Sequence, residues 1–453
     1  MKPSIIDVAQ VIEQQKPGRF TVRLVLISWL VTFFDGYDMN VIAFAAPYLA
    51  GEYGLDTLML GNLFSIGVAG TILGGFLFGY IGDRIGRRRA IILVTALFGG
   101  LTLALGFADD YREFLVLRFL NGIALGGALP LIWALSIEYV PRRFRATAVT
   151  LIMLGYSLGV ATAGPISVFL IPRFGWPAVF VFGGAASLVS AALLYFVLPE
   201  SLRFMVTREM SRDAIARGLR RLAPGLTIPP DARFVISDEA ASARGVSRLA
   251  ALFQGELALI TPLLWLAFIA SSMATYFYAN WGPLVFEGLG LSRHQAAWVT
   301  TLNSVAGALG GLALMRFTDR LGPVSVAALP AISVPLLLVV GLTPMGLGAL
   351  TAFTVTLKFF LGGAHFGITS IAGLFYPTAG RGSGAGWAAS VAKIGSVAGP
   401  WLGGYVLASG LAAQKTFAVL AICPAVFAAS VFAIVLVQRH ARRQAVLAPV
   451  RDG

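Results

Sequence analysis

An all-α membrane protein, with twelve transmembrane helices in two pseudo-symmetric six-helix bundles, is the fold class this chain predicts. Three observations lead there. The 453 residues are 57% hydrophobic and only 12% charged, with a mean hydropathy of +0.82, and a soluble protein of this size exposes more charge. Apolar runs above the roughly 18–20 residues that cross a hydrocarbon core of about 30 Å recur along the chain. A long charged break, from Glu200 to about Glu256, separates six such runs from six more. A β-barrel would instead show alternating segments of about ten residues, which are absent.

The opening stretch, MKPSIIDVAQVIEQQKPGRF, is polar and carries charge of both signs, so no cleaved signal peptide is expected. The first six spans read as 20–47, 58–81, 90–109, 113–139, 147–171 and 177–198. In the break that follows, TREMSRDAIARGLRRLAPG reads as a surface helix ended by Pro224 and Gly225. The second six read as 257–283, 296–317, 324–342, 347–376, 384–408 and 416–437. The expected organisation is therefore a bundle over 1–199, a cytoplasmic linker with short surface helices over 200–256, and a bundle with a tail over 257–453.

The halves resemble each other. GYIGDRIGRRRA (79–90) follows the second span and MRFTDRLGP (315–323) the eighth. YVPRRFRATA (139–148) follows the fourth and FYPTAGRGSG (375–384) the tenth, both reading Pro-x-x-x-Arg. AGP closes at Pro165 in the fifth span and at Pro400 in the eleventh, so the matches share an offset of about 236 residues.

The net charge of +13 records topology rather than a nucleic-acid partner. Of 34 Lys and Arg, only Arg112, Arg173, Arg293 and Lys415 fall in outer loops when the N-terminus is inside. Three more, Arg118, Lys358 and Lys393, lie within spans, which leaves about 27 on the cytoplasmic side, as the positive-inside rule requires. The single cysteine, Cys423, excludes an intrachain disulfide and a cysteine metal site. There is no GxxxxGK[ST], HExxH or CxxC, so nothing points to a nucleotide, a metal or another cofactor.

The segment G-x-x-x-D-R-x-G-R-R after the second span resembles the signature of the major facilitator superfamily, and the six-plus-six layout extends the resemblance over the whole chain. FFDGYD (33–38), NWGPLVFEGLGLS (280–292) and YPTAGRGSGAGWAASVAKIGSVAGP (376–400) resemble its aromatic acid:proton symporter branch. The resemblance implies the major facilitator fold and a monomeric, non-enzymatic carrier in the inner membrane. It would move a small organic anion with protons. Within the same resemblance, Asp83, Arg84, Gly86, Arg87 and Arg88 form a cytoplasmic gate latch, with Glu138 and Arg145 in its network. The second copy, Asp319, Arg320 and Gly322, is degraded, because Met315 replaces the leading glycine and Pro323 the trailing arginine.

The spans also carry ionisable residues, which are expensive in lipid and mark pathways. Asp35 and Asp38 are three apart, on one helical face, roughly 14–18 Å below the outer end of their helix. Two neighbouring carboxylates in low dielectric do not both stay ionised cheaply, which makes the pair the expected proton carrier. Arg118 cannot lose its charge, so it either meets an anion (Asp38, Asp35 or substrate) or snorkels outward. Gly122 and Gly126 follow it on a smooth helix face. Lys358 and Lys393 sit roughly 14–16 Å into their helices, and the C-terminal spans offer no acid to either. A negative charge brought by substrate is the expected partner. The resembled branch carries arginine at the Lys393 position, so a point charge here replaces a fork. His365 lies two turns beyond Lys358, and Tyr276, Tyr278, Asn280 and Trp281 either wall the substrate's ring or anchor the interface.

Two other carriers fit the same fold. One moves sugar acids or dicarboxylates with protons; the other is a drug:proton antiporter, disfavoured because Gly164-Pro165 continues as ISVF rather than a glycine pair. A non-transporting receptor on the same scaffold is the third alternative.

Overall fold

Long apolar helices account for most of the described residues. The computed structural model describes residues 5–237, 249–321, 323–376 and 381–447. A short strand β1 (Ile5–Asp7) leads into α1 (Val8–Gln14), then α2 (Arg19–Tyr53), α3 (Thr57–Ile85), α4 (Arg87–Leu105), α5 (Tyr111–Tyr139), α6 (Arg142–Phe174) and α7 (Pro177–Val197). Two short helices, α8 (Leu202–Thr207) and α9 (Arg212–Leu222), and a strand β2 (Arg233–Val235) occupy the break. Then come α10 (Leu257–Gly288), α11 (Arg293–Leu321), α12 (Pro323–Leu342), α13 (Leu347–Phe375), α14 (Arg381–Ala408), α15 (Lys415–Leu420) and α16 (Ile422–Leu447).

Among the described residues, nine helices are long and apolar enough to cross a bilayer: α2 to α7, α10, the first 22 residues of α13, and α15 with α16 taken as one rod. The other expected spans, 296–317, 324–342 and 384–408, are also helical, within α11, α12 and α14.

The chain divides into two compact units, one of residues 1–45 with 66–244 and one of 46–65 with 245–453. In the first unit, α2 meets α6 and α3 meets α5 backbone to backbone. A Cβ on Gly159 would lie 1.9 Å from the Phe33 carbonyl, and one on Gly122 would lie 2.0 Å from that of Gly67. Only glycine permits such approaches. In the second unit the same pairings recur, α10 with α14 and α11 with α13. The third and sixth long helices of each half also pair, α4 with α7 and α12 with α16. The internal repeat read from loop motifs is thus expressed as equivalent helix partners.

The break does not hang free of the first unit. Ile215, Leu219 and Leu222 of α9, Leu202 and Met205 of α8, and Val8 and Ile12 of α1 enter one hydrophobic core with α3, α4 and α5. Strand β1 pairs in parallel with β2, Ile6 opposite Phe234. Asp7 caps α1 by accepting from the Ala9 amide at 3.0 Å. Glu13 accepts from the amide of Arg142 at the start of α6. The surface helix expected within residues 207–225 is α9, Arg212–Leu222, and its apolar face packs into this core.

Candidate functional site

In the first unit ionisable and polar residues of three helices converge. Asp35 and Asp38 of α2 are 2% and 1% exposed, and Arg118 of α5 is 2% exposed. One Arg118 nitrogen lies 3.1 Å from Asp38 Oδ2, while the hydroxyl of Thr102 on α4 donates to Asp38 Oδ1 at 2.7 Å. Asn121, one turn beyond Arg118, accepts from the guanidinium at 3.2 Å and donates to Thr102 Oγ1 at 2.8 Å. The ring therefore runs Asp38, Arg118, Asn121, Thr102 and back to Asp38. Buried charges persist only when paired and hydrogen-bonded in this way.

Small residues make the geometry possible. Gly67 of α3 faces the arginine, where a Cβ would stand 2.8 Å from Arg118 Nε. Gly183 of α7 leaves room for the Tyr37 ring, whose hydroxyl donates to the Val179 carbonyl at 3.0 Å and ties α2 to α7. Of the two fates expected for Arg118, pairing prevails and snorkelling does not, with Asp38 its partner. Asn121 and Thr102 were missed from the sequence; only their uncommon polarity inside apolar spans pointed to them.

The second unit carries the cations. Lys358, half-buried on α13, holds its ammonium 4.6 Å from the centre of the Tyr278 ring on α10. Tyr278 is itself oriented, since Asn303 on α11 donates to its hydroxyl at 2.8 Å. An ammonium over an aromatic face is attracted by the ring quadrupole, but that attraction does not neutralise it. Among the described residues no carboxylate stands within ion-pair distance of Lys358. Two turns along, His365 Nδ1 lies 3.0 Å from the hydroxyl of Ser271. Lys393 is half-buried on α14.

The expected aromatic wall is only partly available. Trp281 is fully buried, its indole N–H donates to the Pro400 carbonyl at 2.8 Å, and its ring meets Phe64 edge-on. Asn280 donates back to the Tyr276 carbonyl at 2.8 Å, and Tyr276 is half-buried. Trp281 thus joins α10 to α14, and Tyr278 is the ring beside the cation.

The basic loops form a third cluster, in the first unit. Arg87 bonds Asp83 at 2.6 Å and approaches Glu138 at 3.6 Å. Glu138 also accepts from the Ser201 hydroxyl, and Glu200 accepts from the amides of Arg88 and Ser201. Gly86 adopts φ 99°, and a Cβ there would meet Glu200 Oε2 at 2.4 Å, so the signature glycine serves a turn and a contact together. Arg145 donates to the Val140 carbonyl at 3.1 Å. Arg84 stands outside the network, over the ring of Tyr80. The side chains of Asp319 and Arg320 lie outside the described residues.

The model of the Major Facilitator Superfamily matches residues 28–292 and 263–452, together nearly the whole chain. The chain belongs to that superfamily. It is 33% identical over 406 residues to the 4-hydroxybenzoate transporter PcaK of Pseudomonas putida, covering 89% of this chain and 90% of that one. It is 32% identical over 450 residues to a gallate transporter of Pseudomonas putida, covering 98% of each. To the 3-(3-hydroxy-phenyl)propionate transporter of Escherichia coli K12 it is 32% identical over 432 residues, 94% of this chain and 98% of that one. Among solved structures, a bacterial homolog of the human lysosomal transporter Spinster, inward-facing and occupied, superposes with a TM-score of 0.68 at 17% identity. That pair covers 94% of this chain and 98% of the other, a likeness of fold alone. The chain is a multi-pass membrane transporter of the superfamily's aromatic-acid branch, not an enzyme.

Proposed function

We propose that this transporter is a proton-coupled symporter that imports an aromatic carboxylate, of the benzoate or hydroxybenzoate type, across the inner membrane by alternating access. The observation that carries the reading is Lys358, an intramembrane ammonium on the face of Tyr278 with no carboxylate at ion-pair distance among the described residues. A benzoate-type anion complements both groups, with a carboxylate for the cation and a ring for the aromatic wall. Lys393 is the second candidate for the carboxylate, and His365 with Ser271 a candidate for a ring hydroxyl. The aromatic-acid relatives support the same substrate class.

Such a substrate is an anion near neutral pH, and an inside-negative membrane opposes its entry by about 2.3 kcal/mol per 100 mV. One accompanying proton cancels that charge. The buried Asp38–Arg118 pair supports the coupling: a proton on Asp38 removes half of the pair and leaves the guanidinium short of an anion. Substrate and proton loading are then linked through one charge balance. Asp35, one turn away, is the second proton site. The loop network around Asp83, Arg87 and Glu138 would act as the latch that breaks and reforms as the two halves exchange access. The basic surplus supports cytoplasmic termini.

The test is uptake of labelled 4-hydroxybenzoate into proteoliposomes with an alkaline interior. Symport predicts accumulation, lumen acidification, and competition by benzoates but not by hexonates. Equal competition by hexonates would move the chain to sugar-acid carriers, and lumen alkalinisation to antiporters. Binding without uptake would make it a receptor.

A further inference from the structure

Two rungs link α10 to α13 within the second unit. In one, the Lys358 ammonium lies over the Tyr278 ring; in the other, His365 Nδ1 lies 3.0 Å from the Ser271 hydroxyl. The rung members are seven positions apart on both helices. Both rungs therefore share a face and stand about 10.5 Å apart along the axis. Exposure divides the same way in each: Tyr278 and Ser271 on α10 are 2% exposed, whereas Lys358 and His365 on α13 are only half-buried. The α10 members back and orient the two groups that remain reachable.

The polarity of the second rung follows from where the hydrogens can go. A helical serine often donates to the carbonyl four residues back, as Ser333 and Ser396 do here. Ser271 does not, and among the described residues its hydroxyl has only His365 Nδ1 as a partner. Were the ring hydrogen on Nδ1, the buried hydroxyl hydrogen would be left without an acceptor. Ser271 therefore donates, Nδ1 accepts, and the neutral ring carries its hydrogen on Nε2. The two ring nitrogens point apart, and Nε2 has no partner among the described residues. An imidazolium would also present Nε2–H, so the group turned away from Ser271 donates in either charge state.

We propose that Ser271 is a positioning residue that makes His365 Nε2–H a donor to the para substituent of the substrate, so the carrier selects benzoates whose para group is a hydrogen-bond acceptor. The inference rests on the reading that Lys358 holds the substrate carboxylate. Across a para-substituted benzoate the end oxygens are roughly 6–7 Å apart, and a hydrogen bond of about 3 Å at each end brings the span to about 12 Å. Two turns of α13 match that length, with the flexible lysine stem taking up the difference. An ortho oxygen lies beside the carboxylate and falls short of His365. A para hydroxyl is then recognised by its lone pair and not by its hydrogen, and a para methoxy group serves as well.

The test is displacement of labelled benzoate from the purified full chain in nanodiscs, where binding needs no gradient. 4-Methoxybenzoate and 4-ethylbenzoate have nearly the same shape and neither donates, but only the first accepts. Wild type should bind the methoxy compound about three- to tenfold more tightly, the worth of one neutral hydrogen bond, with no such advantage for the ortho pair. Ser271→Ala should at least halve this preference, and Ser271→Thr, which keeps a hydroxyl, should restore it. Nitrogen NMR of ring-labelled histidine reads the tautomer directly, since the chain has only three histidines. The signals lost in His365→Gln should report hydrogen on Nε2 and a bare Nδ1, and should shift in Ser271→Ala. A merely structural role for Ser271 would weaken all benzoates alike and leave preference and tautomer unchanged. That result, equal binding of the methoxy and ethyl compounds, or hydrogen on Nδ1 alone overturns the proposal. Benzoate affinity indifferent to Lys358→Ala, or no benzoate binding at all, defeats the carboxylate reading and this inference with it. Binding that depends on Lys358 but shows no acceptor preference overturns the inference alone.

Discussion

Replacing Gly67 with alanine should disable the proposed proton coupling without touching an ionisable residue. The added Cβ would stand 2.8 Å from Arg118 Nε, 3.3 Å from its Cγ and 3.4 Å from its Cδ. Ordinary contact requires a retreat of roughly 0.6 Å or more by the arginine. Backbone cannot yield, because Gly122 already packs against the Gly67 carbonyl. If the guanidinium moves away along the contact, its 3.1 Å bond to Asp38 opens to about 3.7 Å, past the limit of a useful hydrogen bond. Overpacking costs about 1–3 kcal/mol and a broken buried pair about 3–5, so a partial loss of both predicts roughly 2–4 kcal/mol. Gly75→Ala on the same helix is the control: its nearest neighbour is 3.6 Å away, and alanine favours the helix by about 1 kcal/mol. The assay pairs thermal unfolding in detergent with uptake driven by a pH gradient. Gly67→Ala should melt below wild type and lose the gradient dependence, while Gly75→Ala matches or exceeds wild type. If the two variants melt alike and both keep gradient-driven uptake, the placement of Arg118 does not control coupling.

Three further outcomes are expected. Asp38→Asn should abolish accumulation against a gradient while sparing substrate exchange, and wild-type uptake should fall as the external side is made alkaline; counterflow and pH-jump uptake measure each, with Asp35→Asn expected to follow more weakly. Lys358→Ala should raise the apparent Km for 4-hydroxybenzoate by about tenfold or more, the equivalent of at least about 1.4 kcal/mol, whereas Lys358→Arg retains part of the affinity. Gly86→Ala should destabilise the first unit by at least about 1–2 kcal/mol, since it forces an L side chain to φ 99° and into Glu200; limited proteolysis of the linker would report the loosened contact.

Much of the molecule was legible in one dimension. Hydropathy depends on composition within a single helix, so eight of the twelve expected spans lie inside helices. Spans 90–109, 177–198 and 347–376 overrun theirs by one to four residues, and 416–437 crosses the break between α15 and α16. The mid-chain break between Glu200 and Glu256 is where the short linker elements fall. The spacing of Asp35 and Asp38 needs only the helical repeat to put them one turn apart. Loop motifs carried the internal repeat for the same reason, because turn residues answer to local backbone demands such as the φ of Gly86.

Partnership between helices was not legible. Which face of α5 meets α2 and α4 depends on where glycines let backbones touch, so the pairing of Arg118 with Asp38 waited on the fold. Thr102, Asn121 and Asn303 look like ordinary polar interruptions until a charge or a phenol lies against them. The N-terminal strand and linker strand, more than 220 positions apart, share no pattern that announces their pairing. Hydrophobicity and turn chemistry act between near neighbours in the chain and survive reading in order. Electrostatic balance and packing act between neighbours in space, and only the assembled helices determine who those neighbours are.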